Sequence, residues 1–509
     1  MSTDNSRIYT VIPESDTGEA DSHAVEEEDR GDSTVLRAGF DNGSSSQIPW
    51  KRLLPFFILR SMDALTYGLI FPFIIEYMTS LEIPQDKIGL YAGIAEGSLM
   101  FAEASIAPIW AILADKLGRK KCSTWGFMIS VISCGMVGFG KSAKWIIFWR
   151  MCIGLNPTPV LSKILITEFT HPTNREFIFS IYSPIFNTGY LIGHLIGGWL
   201  ADPYGRLPFW LGGNSDFFQK WPYALPCLVN SFLGLLAVVV GLLFLEETKP
   251  SQIVTIDIQC SDRDTASTAD LWKDTLKIPL FTLILASFCA YQFAVYAFEG
   301  LFTVFAYTSI NQGGLGFPVE MIGSIIAFTT LLYIIGSPII IPRLKRRFGV
   351  RKSLTITVIT IPIEALIIPI AQWCARVGRV WTWVILLFVQ LPLKNFHQMG
   401  WPMNDHLNTA CFDDYPHLVA TGSAITLIAG ASGRAFGPAI AGWLFSISTE
   451  YPLRSFGRQV SWISLFLMTL PPVILSLYIP DGLTRENLPE DSEEDDANNP
   501  LLARRLSIE

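Results

Sequence analysis

From Leu53 to Pro480 the chain strings long apolar runs between short polar interruptions. Most runs approach the roughly 20 residues a helix needs to cross a hydrocarbon core. Reading each run between its glycine, proline and charged breakers predicts membrane-spanning helices near 53–78, 88–113, 122–140, 144–168, 176–200, 223–245, 279–303, 320–342, 353–373, 380–403, 417–446 and 459–480. The expected fold is therefore all-α and membrane-embedded, with 12 transmembrane helices.

A polar stretch from Glu246 to about Lys277 divides six runs from six. The expected organisation is a disordered tail over 1–50, a six-helix bundle over 51–246, a linker over 247–278, a second six-helix bundle over 279–480 and a disordered tail over 481–509. The halves repeat each other: "TGYLIGHLIGGWL" at 188–200 aligns without gaps to "SGRAFGPAIAGWL" at 432–444, and Gly118 and Gly349 sit in basic loops a similar distance apart. Two matches at a similar offset argue for duplicated halves.

Composition agrees: of 509 residues 50% are hydrophobic and 16% charged, against about 25% charged in an ordinary soluble protein. The net charge of -8 arises at the ends. Residues 1–50 hold eleven acids and three bases, and residues 481–509 nine acids and three bases, so the body between them is basic. Its basic clusters, "DKLGRKK" at 115–121 and "RLKRRFGVRK" at 343–352, fall on one face, which the positive-inside rule makes cytoplasmic, with both termini on that side. Tails so acidic and so poor in aromatics cannot bury enough apolar surface to fold. The eight cysteines are scattered without metal or disulfide spacing, and no H-E-x-x-H is present. No metal, cofactor or enzymatic activity is expected, and no nucleic-acid partner.

Charges interrupt the apolar runs. "LRSMDALTYGLIFPFI" at 59–74 carries Arg60 and Asp63 three positions apart, on one helix face. A lipid-facing charge at that depth costs on the order of +3 kcal/mol, so this face must look into the bundle. Glu96, Glu103, Lys163, Glu168, Glu299, Glu364, Lys394 and Arg434 share the situation. Asp63, then Glu96, then Glu103 are the candidate proton-coupling groups, with Arg60 and Arg150 tuning them. Tyr291, Gln292, Tyr296, Glu299, Gln390, Asn395 and Gln398, from the seventh and tenth spans, are the candidate substrate contacts.

"LADKLGRKKC" at 113–122 resembles the loop motif of the major facilitator superfamily, G-x-x-x-D-[RK]-x-G-R-[RK], through Asp115, Lys116, Gly118, Arg119 and Lys120; Ala111 stands in place of the leading glycine. The resemblance implies a conformational latch in which Asp115 meets the N-terminus of a neighbouring helix. The second half carries only a degraded copy, with Arg346 in the place of Asp115. "WRMCIG" matches the family's R-x-x-x-G through Arg150 and Gly154, a pattern linked to proton transfer. Gly189, Gly193, Gly197 and Gly198 give a helix-packing face, with His194 where antiporters of the family carry proline; Gly433, Gly437 and Pro438 provide the second-half equivalent. "GRAFGPAIAGWLFS" at 433–446 is most similar to the twelve-span drug:proton antiporter branch, with its zinc-induced-facilitator-like and fungal multidrug-type members. What the resemblance implies is a monomeric secondary active transporter of the plasma or vacuolar membrane. It would move a small organic solute, a drug, secondary metabolite or chelate, by proton-coupled alternating access in the direction of efflux. Uptake by facilitation or proton symport, and a non-transporting membrane sensor, remain open alternatives.

Overall fold

The computed structural model describes residues 48–170, 172–208, 210, 213–247, 268–412, 415, 418–452 and 455–480. Both acidic tails and most of the linker lie outside the described residues. Helices follow in chain order: α1 (Trp50–Gly68), α2 (Ile74–Ser80), α3 (Gln85–Leu117), α4 (Arg119–Val137), α5 (Ala143–Ile153), α6 (Thr158–Phe169), α7 (Pro172–Leu200), α8 (Asp216–Lys220) and α9 (Ala224–Phe244). Beyond the linker come α10 (Thr268–Lys277), α11 (Pro279–Tyr307), α12 (Val319–Val358), α13 (Thr360–Val377), α14 (Arg379–Ile385), α15 (Leu391–Gln398), α16 (Gly400–Ala410), α17 (Val419–Thr449) and α18 (Phe456–Tyr478).

Among the described residues, six helical stretches are long and apolar enough to cross a membrane: Gln85–Ala114, Ala224–Phe244, Pro279–Tyr307, Val319–Val377, Thr421–Thr449 and Phe456–Tyr478. Several expected spans are interrupted, each for a local reason. The first breaks after Gly68, where Pro72 lies in the turn leading to α2 and has no N–H to continue a helix. The fourth breaks between α5 and α6 at Asn156 and Pro157, and Asn156 Oδ1 takes over the freed N–H of Thr158 at 3.0 Å. The tenth runs through a π-helical turn, Leu386–Gln390, before α15. In the basic loops, Gly118 (φ 99°) separates α3 from α4, and Gly349 (φ 74°) kinks α12.

Small residues decide how these helices meet. Any side chain at Gly189, Gly193 or Gly197 of α7 would collide with the backbone of Ser61 and Leu65 on α1 and of Leu69 at its end, spaced one turn apart. Gly433 and Gly437 of α17 bear the same relation to Cys289, Phe293 and Ala297 of α11. The two matched sequence segments thus do the same packing in each half. Between the halves, α3 meets α17 through Gly89 against Gly442, Gly93 against Pro438 and Ala439, and Gly97 against Ala435. α7 meets α12 through Gly198 against Gly323 and Val319.

These close contacts cluster at the ends of α3, α7, α12 and α17 that lie opposite the basic loops. There the seam is closed further by Arg206 with Glu320 at 2.5 Å, by Trp199 Nε1 donating to Ser324 at 3.1 Å, and by Gln312 donating to Gln85 at 3.0 Å. The tightest face of the seam is thus the one without basic loops.

Candidate functional site

On α1, the helical i, i+3 spacing brings Arg60 Nη1 onto Asp63 Oδ2 in a tight ion pair, with both side chains mostly buried. The break between α5 and α6 supplies a second partner: Asn156 Nδ2 donates to Asp63 Oδ1 at 2.5 Å. The far side of the Arg60 guanidinium rests over Phe186, 4.4 Å from its ring centre, and Tyr182, 5.2 Å, both on α7. The ion pair and the two rings answer most of this guanidinium, while its Nε has no hydrogen-bond partner among the described residues. Glu103 of α3 lies within electrostatic reach of Asp63 and Arg60 and faces Arg434 of α17 across the seam. Arg434 in turn lies within electrostatic reach of Tyr296 of α11, which is near Tyr67 of α1. Polar groups from both halves thus gather at this part of the seam.

Deeper toward the closed face, the Glu96 carboxylate of α3 lies against Gly300 of α11, where a β-carbon would stand 3.1 Å from its oxygen. Glu96 Oε2 has no hydrogen-bond partner among the described residues. Arg150 and Glu299 are the charges that act on it. Arg150 is 1% exposed and donates through Nε to the Ala95 carbonyl at 3.3 Å. It borders a void of about 10 Å³ lined also by Thr66, Cys134 and Cys227, room for about one water. Arg150 is an interior group rather than one reaching for the membrane surface.

In the second half, Lys394 of α15 lies 3.8 Å from Glu299 of α11, and Gln398 Nε2 donates to the same carboxylate at 3.1 Å. The π-helical turn before α15 sets the register that turns Lys394, Asn395 and His397 inward, all three buried. His397 Nδ1 lies 2.8 Å from Glu364 Oε2 of α13, and neither side chain is exposed at all. Tyr291 donates its hydroxyl to the His397 carbonyl at 2.7 Å.

Of the candidate substrate contacts, Tyr291, Gln292, Tyr296, Gln390 and Asn395 are buried, and Glu299 and Gln398 nearly so. Asn395 Nδ2 is returned to its own helix at the Leu391 carbonyl, 3.1 Å away. His194 packs between Tyr190 and Phe71, with Nδ1 2.7 Å from the Tyr190 carbonyl. At Gly154 a side chain would strike the Leu99 carbonyl, so α5 and α3 touch there. In the loop motif, Asp115 lies on the last turn of α3, Lys116 is exposed and Arg119 is buried. The Lys120 N–H donates to Glu247 Oε1 at 3.2 Å, and the same carboxylate fills the space beside Gly118. Sequence reading missed Asn156 and His397. The Asn-Pro pair inside an apolar run was the available signal for the first, whereas His397 is a lone histidine whose partner lies 33 residues away on another helix.

The model of the Major Facilitator Superfamily matches residues 56–438. The chain is 24% identical over 437 residues to the major facilitator-type transporter psiT2 of Psilocybe cubensis, covering 75% of this chain and 81% of that one. It is 26% identical to the efflux pump azaK of Aspergillus niger, covering 57% and 59%. Other relatives are named as a multidrug transporter and as zinc induced facilitator proteins. Among solved structures, a bacterial homologue of the human lysosomal transporter Spinster superposes with a TM-score of 0.58 at 16% identity, covering 86% of this chain and 95% of that chain.

Proposed function

The chain belongs to the Major Facilitator Superfamily, and on that footing we propose that it is a secondary active transporter moving a small organic solute by proton-coupled alternating access, in the direction of efflux. The observation that carries this reading is the seam itself. Glycine-to-backbone contacts close it on one face, and carboxylates from both halves lie along it, Glu96 buried and Glu103 and Glu299 partly buried. Such groups cost too much to bury unless they do something there.

Twelve crossings follow if α1–α2, α5–α6 and α14–α16 are each one broken span and α12 and α13 together make two spans divided at Gly349; broken helices beside a midplane site suit a transporter. With the basic loops in the cytoplasm, the closed face is the outer one, and the described conformation opens inward. Asp63, Glu96 and Glu103 are the coupling carboxylates. Arg60 and Arg150 set when they ionise, and the aromatic and amide groups of α11 and α15 contact the solute. Glu103 and Arg434 part when the seam opens, so protonation of Glu103 favours the parted state. Efflux is supported by relatives named as efflux pump and multidrug transporter.

The test is proton flux in proteoliposomes carrying a trapped pH-sensitive dye, screened against drugs, secondary metabolites and metal chelates. Solute movement accompanied by counter-flow of protons is expected. Solute movement with no proton flux would instead establish facilitated uptake.

A further inference from the structure

The second-half cluster holds two carboxylates, Glu299 and Glu364, against one amine, Lys394, and one imidazole, His397. Glu364 feels His397 and Lys394 from α15 and Glu299 from α11, and these are the charged groups acting on it. The first-half group differs: Arg60 and Arg434 answer Asp63 and Glu103 one for one. Within the four-residue cluster the charges cancel only when an additional proton is held on the imidazole or on a carboxyl. Burial makes that cancellation matter, because neither Glu364 nor His397 touches solvent.

We propose that Glu364 and His397 form a proton-binding site inside the second half, separate from the carboxylates of the seam and holding one exchangeable proton. The pair shares a hydrogen bond of 2.8 Å between Nδ1 and Oε2. Its two outer positions, His397 Nε2 and Glu364 Oε1, have no partner among the described residues, so an added proton displaces no existing bond at either. Tyr291 pins the His397 backbone, and the Phe298 ring stands edge-on to the imidazole at 6.0 Å, which holds the pair in register. Lys394 and Glu299 connect it toward the seam, where Glu299 also acts on Glu96. The interior pair and the seam carboxylates therefore sense one another's charge through Glu299. This inference rests on the proton-coupled reading but adds a site to it.

The test uses the purified full chain in detergent micelles, without solute. The probe is the proton: potentiometric titration counts protons released on raising the pH, and infrared difference spectra follow the carboxyl and imidazole bands. Glu364→Gln is expected to remove one carboxyl component and shift the imidazole bands. His397→Gln should leave a carboxyl protonated to higher pH, and the double variant should release about one proton fewer than wild type. Glu96→Gln should leave the imidazole bands in place. If Glu364→Gln does not fold, His397→Gln carries the test. Spectra of His397→Gln that superimpose on wild type, or a double variant releasing as many protons as wild type, overturn the proposal even where proton-coupled flux is intact. If the pair titrates as stated while solute moves without protons, the coupled-transport reading fails and the site stands.

Discussion

In the first half, Arg60, Asp63 and Glu103 find their counter-charges close by, but the last link, Arg434, is supplied by the second half across the seam. In the second half, Glu299, Glu364, Lys394 and His397 answer one another among α11, α13 and α15. On the proposed cycle, opening the seam separates Glu103 from Arg434 and Glu299 from Glu96, but it leaves the Glu364–His397 contact within the second half. The first cluster thus depends on conformation directly, and the interior pair only through Glu299.

The largest expected effect comes from breaking the first cluster at its tightest point. Arg60→Ala leaves Asp63 buried with only Asn156 as partner. Removing one member of a buried pair costs about 3–5 kcal/mol, enough to lower the thermal midpoint clearly and to reduce gradient-driven transport to background. The double variant Arg60→Ala, Asp63→Ala should be more stable than the single one, because no uncompensated charge remains. Thermal unfolding of the two in detergent checks the comparison; equal losses would mean that Asp63 is not held by Arg60. Asp63→Asn, which keeps the shape and the Asn156 contact, should fold and insert normally yet fail to accumulate solute under a pH gradient.

Next in size is the seam. Gly93→Leu puts a side chain into the backbone of Pro438 and Ala439. Overpacking of this kind costs about 1–3 kcal/mol, here charged only to the closed face. The population should shift toward the state open on that face by roughly ten- to a hundredfold, read as faster thiol labelling of a cysteine placed at Gln85. Unchanged labelling would show that the glycine contacts do not hold the seam. A smaller effect is expected at the rim, where Arg206 and Glu320 are about a quarter to a third exposed. Their coupling in a double-mutant cycle should be about 1 kcal/mol or less, and it should weaken with added salt.

How much of this was legible in the sequence depends on distance along the chain. The Arg60–Asp63 pair could be read directly, because i, i+3 spacing on a helix fixes its geometry locally. The glycine stripes were legible too: a repeat of "G-x-x-x-G" states that a backbone approaches, though not which one, and Ser61, Leu65 and Leu69 had no mark of their own. Glu103 and Arg434 were visible only as charges that needed partners, since their meeting depends on how two halves 331 positions apart in numbering are docked. The broken first, fourth and tenth spans were hidden by hydropathy, which averages over a window and cannot see that Pro72, Pro157 or a π-helical turn interrupts hydrogen bonding inside it. His397 was missed for the same reason in another form, because a solitary histidine gains its meaning only from Glu364.

The two basic loops extend the comparison to its smallest expected effect. Gly118 and Gly349 occupy matching places and both have positive φ, but a side chain at Gly118 would meet the Glu247 carboxylate, whereas nothing among the described residues lies within 4 Å at Gly349. Glu247 accepts from the Lys120 N–H at the start of α4, so an anion from the segment after α9 occupies a helix N-terminus. A carboxylate at a helix end contributes about 0.3–1 kcal/mol at an exposed site, so Glu247→Gln should change the balance between open and closed states by roughly two- to fivefold, with solute affinity unaltered. Arg346→Glu, at the corresponding place in the second half, should change it less, because no described carboxylate is seated beside Gly349 to be disturbed. Labelling rates at the Gln85 cysteine compare the two directly, and an equal response would mean that the first-half loop is no more anchored than the second.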